Sequence, residues 1–318
     1  MAALLGACYC GAVQGPRLRI VTGKGGVGKT TVAAALAIAE AKRGRRTLIA
    51  ETNGRDRVSA VLGVSPAGPE IRAVRERLWA VDMNPRAAIH EYARTLFRFE
   101  SIVNVVFENR VVRRFLALIP SLGELVMLGK VWFHEQEQGD DGPRFDVIVL
   151  DAPATGHALA MLKAPAMVQH AVPPGPLRDI TRNIRKLLSD ETRTVLHVVT
   201  TPEEMAVTEA AEIERTATEV LGLRLGMTFI NQRLEGVPAV ACERLRTTGD
   251  PDLVLLAESL QLREARRIQG EAELQRLPAN MLDVAVSLPR LVGFEGGREP
   301  VHELAALLLP ILARETSP

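Results

Sequence analysis

The chain has 318 residues, 47% apolar and 24% charged, with three cysteines and a net charge of +1. That length fits one large α/β domain or two small ones, and the apolar share is ample for a core. Near-neutral charge excludes the footprint of a nucleic-acid partner or a polybasic membrane anchor, and so few cysteines exclude a disulfide framework and fit a reducing, cytoplasmic compartment.

Residues 1–16 read as a flexible extension ahead of a single domain over 17–318. Leu5-Gly6-Ala7-Cys8 looks like a lipoprotein cleavage box, but no basic residues precede it and the apolar stretch is too short for a signal peptide. Cys8 and Cys10 alone supply too few ligands for a metal. No apolar run reaches ~18 residues, so no membrane-spanning helix is expected.

Arg19-Ile20-Val21 ends a short apolar strand, and Val32 to Lys42 is an alanine-rich helix. Between them, Gly23-Lys24-Gly25-Gly26-Val27-Gly28-Lys29-Thr30-Thr31 fits G-x-x-x-x-G-K-[ST], with Gly23, Gly28, Lys29 and Thr30 at the fixed positions. In strand–loop–helix context, backbone N–H groups and a helix N-terminus converge on polyphosphate. Gly25, Gly26 and Gly28 let the backbone approach it. Lys29 would reach the β and γ phosphates, the Thr30 hydroxyl would hold Mg²⁺, and the whole segment to Thr31 is the candidate ATP cradle. Lys24 is a second lysine that the phosphates do not require. The pattern K-G-G-x-G-K-[ST] resembles the deviant loop of the ParA/MinD/nitrogenase-iron-protein class. That resemblance implies that Lys24 reaches a partner subunit's nucleotide; the alternative is a solvated loop charge.

Gly44 stops the first helix, and Thr47 to Glu51 is a second strand. Residues 52–57 are polar and turn-rich. Arg77 to Asp82 is a further strand, followed by the turn Asn84-Pro85 and a helix from Arg86 with Ile89, Tyr92, Ala93, Leu96 and Phe97 on one face. From Phe99 to Phe133 the apolar residues point almost all round, broken at Pro120-Ser121-Leu122-Gly123, with Glu124 to Phe133 as the second helix. Such helices form either an internal layer or a greasy surface that a client or partner covers. The helical insert is placed at about 85–140.

Arg144 to Asp151 is a continuous apolar run ending in an aspartate, as expected of a central parallel strand beside a phosphate loop. In this Walker B arrangement Asp151 holds Mg²⁺ through water. Ala152 to His157 is small and glycine-containing and can change shape with the γ-phosphate. After the Pro173-Pro174-Gly175-Pro176 break comes a helix with Arg178, Arg182, Arg185 and Lys186 on one solvated face; a helical segment of about 160–190 joins the insert as a client or partner surface. Thr194 to Thr200 is a strand. Thr201-Pro202-Glu203-Glu204 reads as a threonine-capped helix start closed by a glutamate, continuing to about Leu221. Leu225 to Ile230 is a strand ending at Asn231. Val237 to Leu277 is helical with a break at 247–251, Val284 to Leu288 is a strand before Pro289, and Glu299 to about Leu309 is the last helix. Alternating strands and helices without an internal repeat predict one α/β unit: a doubly wound, mainly parallel P-loop sheet flanked by helices, with an inserted helical subdomain.

The loop Gly23 to Thr31, the strand Asp146 to Asp151 with Thr155-Gly156-His157, the turn Thr201-Pro202-Glu203 and Asn231 occur together and in order. This combination resembles the arsenite-pump ATPase (ArsA) and guided-entry tail-anchored-protein targeting ATPase family over about residues 18–310. Ile119-Pro120-Ser121-Leu122-Gly123-Glu124-Leu125 is similar to its client-side helices. The resemblance implies that Asn231 recognises adenine, that the chain near Pro289 closes over the base, and that Lys24 acts across a nucleotide-sandwich dimer. Three departures stand out. Thr52-Asn53 occupies the place of the family's switch I Asp-Pro, flanked by Glu51 and Asp56; Thr52 can still touch Mg²⁺ or water, but a hydroxyl is no general base at neutral pH. Cys242 stands alone where some targeting dimers carry a zinc-binding pair. Cys8, Cys10 and Cys242 do not match the thiolate cluster that soft metalloids require.

The expected protein is a cytoplasmic Mg·ATP-dependent dimeric ATPase. It pairs with itself or a related subunit and handles a hydrophobic client or membrane partner, through which it could sit peripherally at the membrane. An energising subunit of an anion transporter and a regulatory ATP-binding module with little hydrolysis remain as alternatives.

Overall fold

Three strands, β1 (Leu18–Gly23), β7 (Val147–Ala154) and β8 (Thr194–Thr200), are buried along almost every residue. Continuous apolar runs of this kind are stable only with helices on both faces of a parallel sheet. The structure, a computed structural model, describes residues 15–52, 54, 56–83, 122–140, 142–172, 174–291 and 298–315. Cys8, Cys10, the helix expected from Arg86, the apolar run 99–121 and Asn53 lie outside the described residues.

The remaining strands are β2 (Thr47–Glu51), β3 (Arg72–Arg75), β4 (Leu78–Asp82), the two-residue pair β5 (Gln138–Gly139) and β6 (Gly142–Pro143), β9 (Leu225–Arg233) and β10 (Ala285–Pro289). Eight of them form one sheet in the order β10-β9-β8-β1-β7-β2-β4-β3, in which β3 alone runs antiparallel, at the edge. The expected doubly wound, mainly parallel α/β sheet is therefore present.

Helix α1 (Lys29–Lys42) packs with α2 (Arg57–Leu62) and the C-terminal α10 (Arg298–Glu315) on one face, where Val21, Ile49 and Val149 meet Leu36, Leu304 and Leu308. On the other face Ile20, Leu48 and Leu150 meet α3 (Leu122–Gln136), α4 (Thr155–Ala171), α5 (Pro176–Ser189) and α6 (Glu204–Arg215), the last running into a π-helical turn at Thr216–Val220. The side-chain period of two along each strand divides the core in this way. The hairpin α7 (Ala239–Thr247) and α8 (Pro251–Leu274), then the short α9 (Ala279–Asp283), lead into β10.

Helix α3 forms an internal layer, one of the two readings open for its apolar run: Leu125, Val126, Met127, Leu128 and Val131 are all buried. Several other elements differ from the sequence reading. Strand β7 runs three residues past Asp151, and β9 two past Asn231, because both remain paired or continuous with neighbouring strands. The threonine-capped start at Thr201 is not formed. The helix begins at Glu204 without a side-chain cap, the Thr201 hydroxyl is buried without a partner, and Glu203 N–H donates instead to the Thr201 carbonyl in a tight turn. Helix α10 continues through Pro310 to Glu315. Burial of Leu308 and Leu312 against α1 offsets the backbone hydrogen bond that a mid-helix proline removes.

At the N-terminal end of the sheet, Arg19 is fully buried and binds Glu40 of α1 at 3.0 Å and Glu315 of α10 at 2.8 Å. Glu40 also receives Arg43 and Arg45, so the network sets opposite charges side by side and pins the last helix to the first.

Candidate phosphate-loop site

The site forms at the C-terminal ends of β1, β7, β8 and β9, where connections leave to opposite faces of the sheet. Such a switch point leaves a crevice for a ligand. The loop after β1 turns there through two glycines with close constraints. A Cβ on Gly23, at φ +150°, would lie 2.0 Å from the Val199 carbonyl oxygen. A Cβ on Gly28, at φ +90°, would lie 2.4 Å from Asn231 Nδ2. Helix α1 starts directly after Gly28, so its free N–H groups point into the crevice.

Lys29 closes the loop by donating from Nζ to the Lys24 carbonyl at 2.9 Å. Burial lowers its pKa, opposed by Asp151, assisted by Arg57 and opposed by Glu209. Thr30 Oγ1 donates to Asp151 Oδ2 at 2.7 Å, and Asp151 Oδ1 is buried with no partner. Burial raises the Asp151 pKa to about 6 against the Thr30 hydrogen bond and the charges of Lys29 and Arg57. A hydroxyl and an orphaned carboxylate oxygen side by side fit a small hard cation that keeps several waters. Among the described residues no group of three or more His, Cys, Asp or Glu side chains is arranged as a metal site, so such a cation would also need ligand oxygens.

Asn231 is buried and donates from Nδ2 to the Val27 carbonyl at 2.8 Å, tying β9 to the loop. Together with Gly26, Gly28, Thr31 and Pro289 it lines a cavity of about 940 Å³. The structure therefore brings Gly23 to Thr31, Asp151, Asn231 and Pro289 to one crevice. Lys24 is half-buried at its rim, and its ammonium has no partner among the described residues.

The Thr52 hydroxyl donates to the Asp151 carbonyl at 2.9 Å, where β2 and β7 pair in register at Glu51 and Asp151. Ala152 to Ala154 complete a strand and Thr155 opens α4, so the expected switch segment is here regular structure. Its anchor is Glu209 of α6, which accepts from Thr155 Oγ1 at 2.6 Å.

Sequence reading missed Glu209, Arg57 and the cavity-lining Gln232, Arg263, Arg266 and Arg290. Gln232 and Arg290 directly follow the named Asn231 and Pro289, and Arg57 ends the polar segment after β2; Glu209, Arg263 and Arg266 arrive from elements with no local signal.

Comparison with known proteins agrees with this geometry. A family model described as anion-transporting ATPase matches residues 17–173. The chain is 31% identical to ATPase BagA of Mycobacterium tuberculosis over 312 residues, covering 88% of this chain and 87% of that protein. It is 22% identical to a Chlorobaculum tepidum protein named as an arsenical pump-driving ATPase, covering 69% of this chain and 62% of the other. With ATPase ASNA1 homolog 1 of Paramecium tetraurelia it shares 29% identity, over 47% of this chain and 44% of the relative. With the phosphate-loop crevice and this full-length similarity both in hand, the chain belongs to the ArsA-type anion-transporting ATPase family.

Proposed function

We propose that the protein is a Mg·ATP-dependent ATPase that works as a nucleotide-sandwich dimer. The observation that carries this reading is the pairing of the Thr30 hydroxyl with Asp151 beside a glycine loop whose lysine is already folded over it. Loop N–H groups and Lys29 would bind the β and γ phosphates, leaving the Lys24 carbonyl when nucleotide arrives. Mg²⁺, when bound by Thr30 and through water by Asp151, would neutralise the phosphate oxygens. Asn231 and Pro289 would flank the adenine. Lys24, unpaired at the rim, would cross to the partner's triphosphate.

We assign the client side to the segments around 85–140 and 160–190. Phe133 of α3 and Met167 of α4 are 43% and 45% exposed, which supports an apolar client or membrane partner there. Among the described residues no helix is long and apolar enough to cross a membrane. The protein is placed in the cytoplasm, reaching membranes through a partner. An arsenite-responsive role is disfavoured, since Cys242 is buried and stands without a second thiolate among the described residues.

Steady-state phosphate release with Mg·ATP, alone and with arsenite, antimonite or an apolar peptide, tests the reading. Stimulation by the peptide supports it, and stimulation by a metalloid alone assigns a transporter-energising role. Nucleotide binding without phosphate release favours a regulatory module, the reading that Thr52-Asn53 in place of an Asp-Pro pair supports.

A further inference from the structure

The segment after β2 is held by an unusual set of carboxylates. Glu51 accepts from Val58 N–H at 2.9 Å, and Asp56 accepts from the N–H groups of Ala67 and Gly68 at 3.2 and 3.3 Å. The Asp82 carboxylate accepts from the backbone N–H groups of Asp56 and Gly54. Glu51 stands in register with Asp151 on one side and Asp82 on the other. Three acidic side chains at the ends of β2 and β4 and in the following loop thus bind backbone and fix the start of α2. Glu51 Oε1 and Asp82 Oδ1 stay buried without a partner.

What this strapping presents is Arg57, the first residue of α2, exposed and without an ion pair among the described residues. Arg57 adjoins Val58, whose N–H is held by Glu51, and Glu51 pairs in register with Asp151, so the start of α2 lies next to the strand end that carries Asp151. A triphosphate held by the loop is an anion, and a guanidinium fork suits its non-bridging oxygens.

We propose that Arg57 is a cis-acting cation that contacts the γ-phosphate of the nucleotide held by its own subunit. The inference rests on the Mg·ATP reading above. In it each centre receives Arg57 from the same chain and Lys24 from the neighbour. As the bond between the γ-phosphorus and the bridging oxygen breaks and water adds, Arg57 balances charge spreading over the γ-oxygens. The bridging oxygen leaves with ADP, and the water proton leaves with phosphate or solvent. The position emptied by the absent switch I aspartate is therefore served by charge stabilisation.

The test is Arg57→Gln, with Arg57→Lys as the conservative variant. Arg57→Gln should leave ADP affinity within about twofold while phosphate release falls by about 10²-fold or more, and Arg57→Lys should recover part of it. If the wild type binds ATP but releases no phosphate, the readout is its preference for ATP over ADP, which Arg57→Gln should erase. Mixing Arg57→Gln with Lys24→Ala separates cis from trans. A mixed dimer keeps one complete centre only if one of the two cations acts in cis and the other in trans, so, with Lys24 serving its neighbour, mixing should raise activity above either variant alone. Wild-type turnover and ATP preference in Arg57→Gln would overturn the proposal, as would a mixture no more active than its parts. Failure of the wild type to bind Mg·ATP would instead sink the underlying reading.

Discussion

Thr30 and Asp151, 121 residues apart in sequence, meet through a 2.7 Å hydrogen bond that uses one carboxylate oxygen and leaves the other buried and unpaired. The pairing of β1 with β7, Val21 opposite Asp151, makes this contact possible. It also suggests how the centre depends on pH.

Burial holds the Asp151 pKa at about 6, so the carboxylate that would meet Mg²⁺ is increasingly protonated as pH falls below that value. The Mg²⁺ concentration needed for half-maximal ATP binding should rise from pH 7.5 to 5.5. Asp151→Asn should lose the Mg²⁺ dependence at every pH. A flat Mg²⁺ requirement in the wild type would show that Asp151 is not the metal's partner.

Gly23 and Gly25 should respond differently to the same methyl group. At Gly23 the Cβ meets the Val199 carbonyl at 2.0 Å, whereas at Gly25 nothing lies within 4 Å. Gly23→Ala should therefore destabilise by about 3 kcal/mol or fail to fold, and Gly25→Ala should stay within about 0.5 kcal/mol. Urea unfolding of the two variants checks this, and equal stabilities would contradict it.

Lys24→Ala should keep ATP affinity within about threefold while lowering phosphate release by about 10²-fold, if Lys24 serves the nucleotide of a neighbouring subunit. Sedimentation in Mg·ATP should show a dimer. A wild type that stays a single subunit at saturating nucleotide would remove the trans role.

Arg19→Met should cost about 2–3 kcal/mol, since it removes one of the three cations around the buried Glu40 and releases Glu315. Glu315→Gln, at a partly exposed partner, should cost about 1 kcal/mol. Chemical denaturation orders the two, and the reverse order would show that the network does not hinge on Arg19.

His197 is fully buried and accepts from Met227 N–H at Nδ1, so the neutral ring carries its proton on Nε2. Its 3.3 Å approach to Arg19 Nη1 is then a contact between two donors. Burial, and next the Arg19 charge, hold its pKa well below the usual histidine value. With a depressed folded pKa, its contribution is complete above pH ~6.5 and is lost below it, by about 1.4 kcal/mol per pH unit. Glu51, raised by burial to about 7, acts in the opposite sense: its contribution is lost as pH rises from the ordinary carboxylate range through about 7. The difference in unfolding free energy between wild type and His197→Gln isolates the histidine. It should change between pH 7.5 and 5.5, and a constant difference would refute the assignment.

The strands Thr47–Glu51 and Thr194–Thr200 were legible to the residue, and the phosphate loop was legible in full, because each depends on a local pattern of apolar residues or glycines. Strand β3 and helix α2 were not. Arg72–Arg75 carries no alternating apolar face, and α2 is set by carboxylates from β2 and β4. The capping box at Thr201 was a sound local motif that lost to a tight turn leaving β8.

The sequence by itself determined that the chain folds as a parallel α/β sheet around a phosphate loop, since hydrophobic period and backbone freedom are properties of neighbouring residues. Side-by-side strands and packed helices were needed to show that Thr52 donates to the Asp151 carbonyl, that Asn231 braces the loop, and that Glu51 holds the start of α2. Those relationships depend on which strands lie side by side, and strand order is set by how the whole core packs.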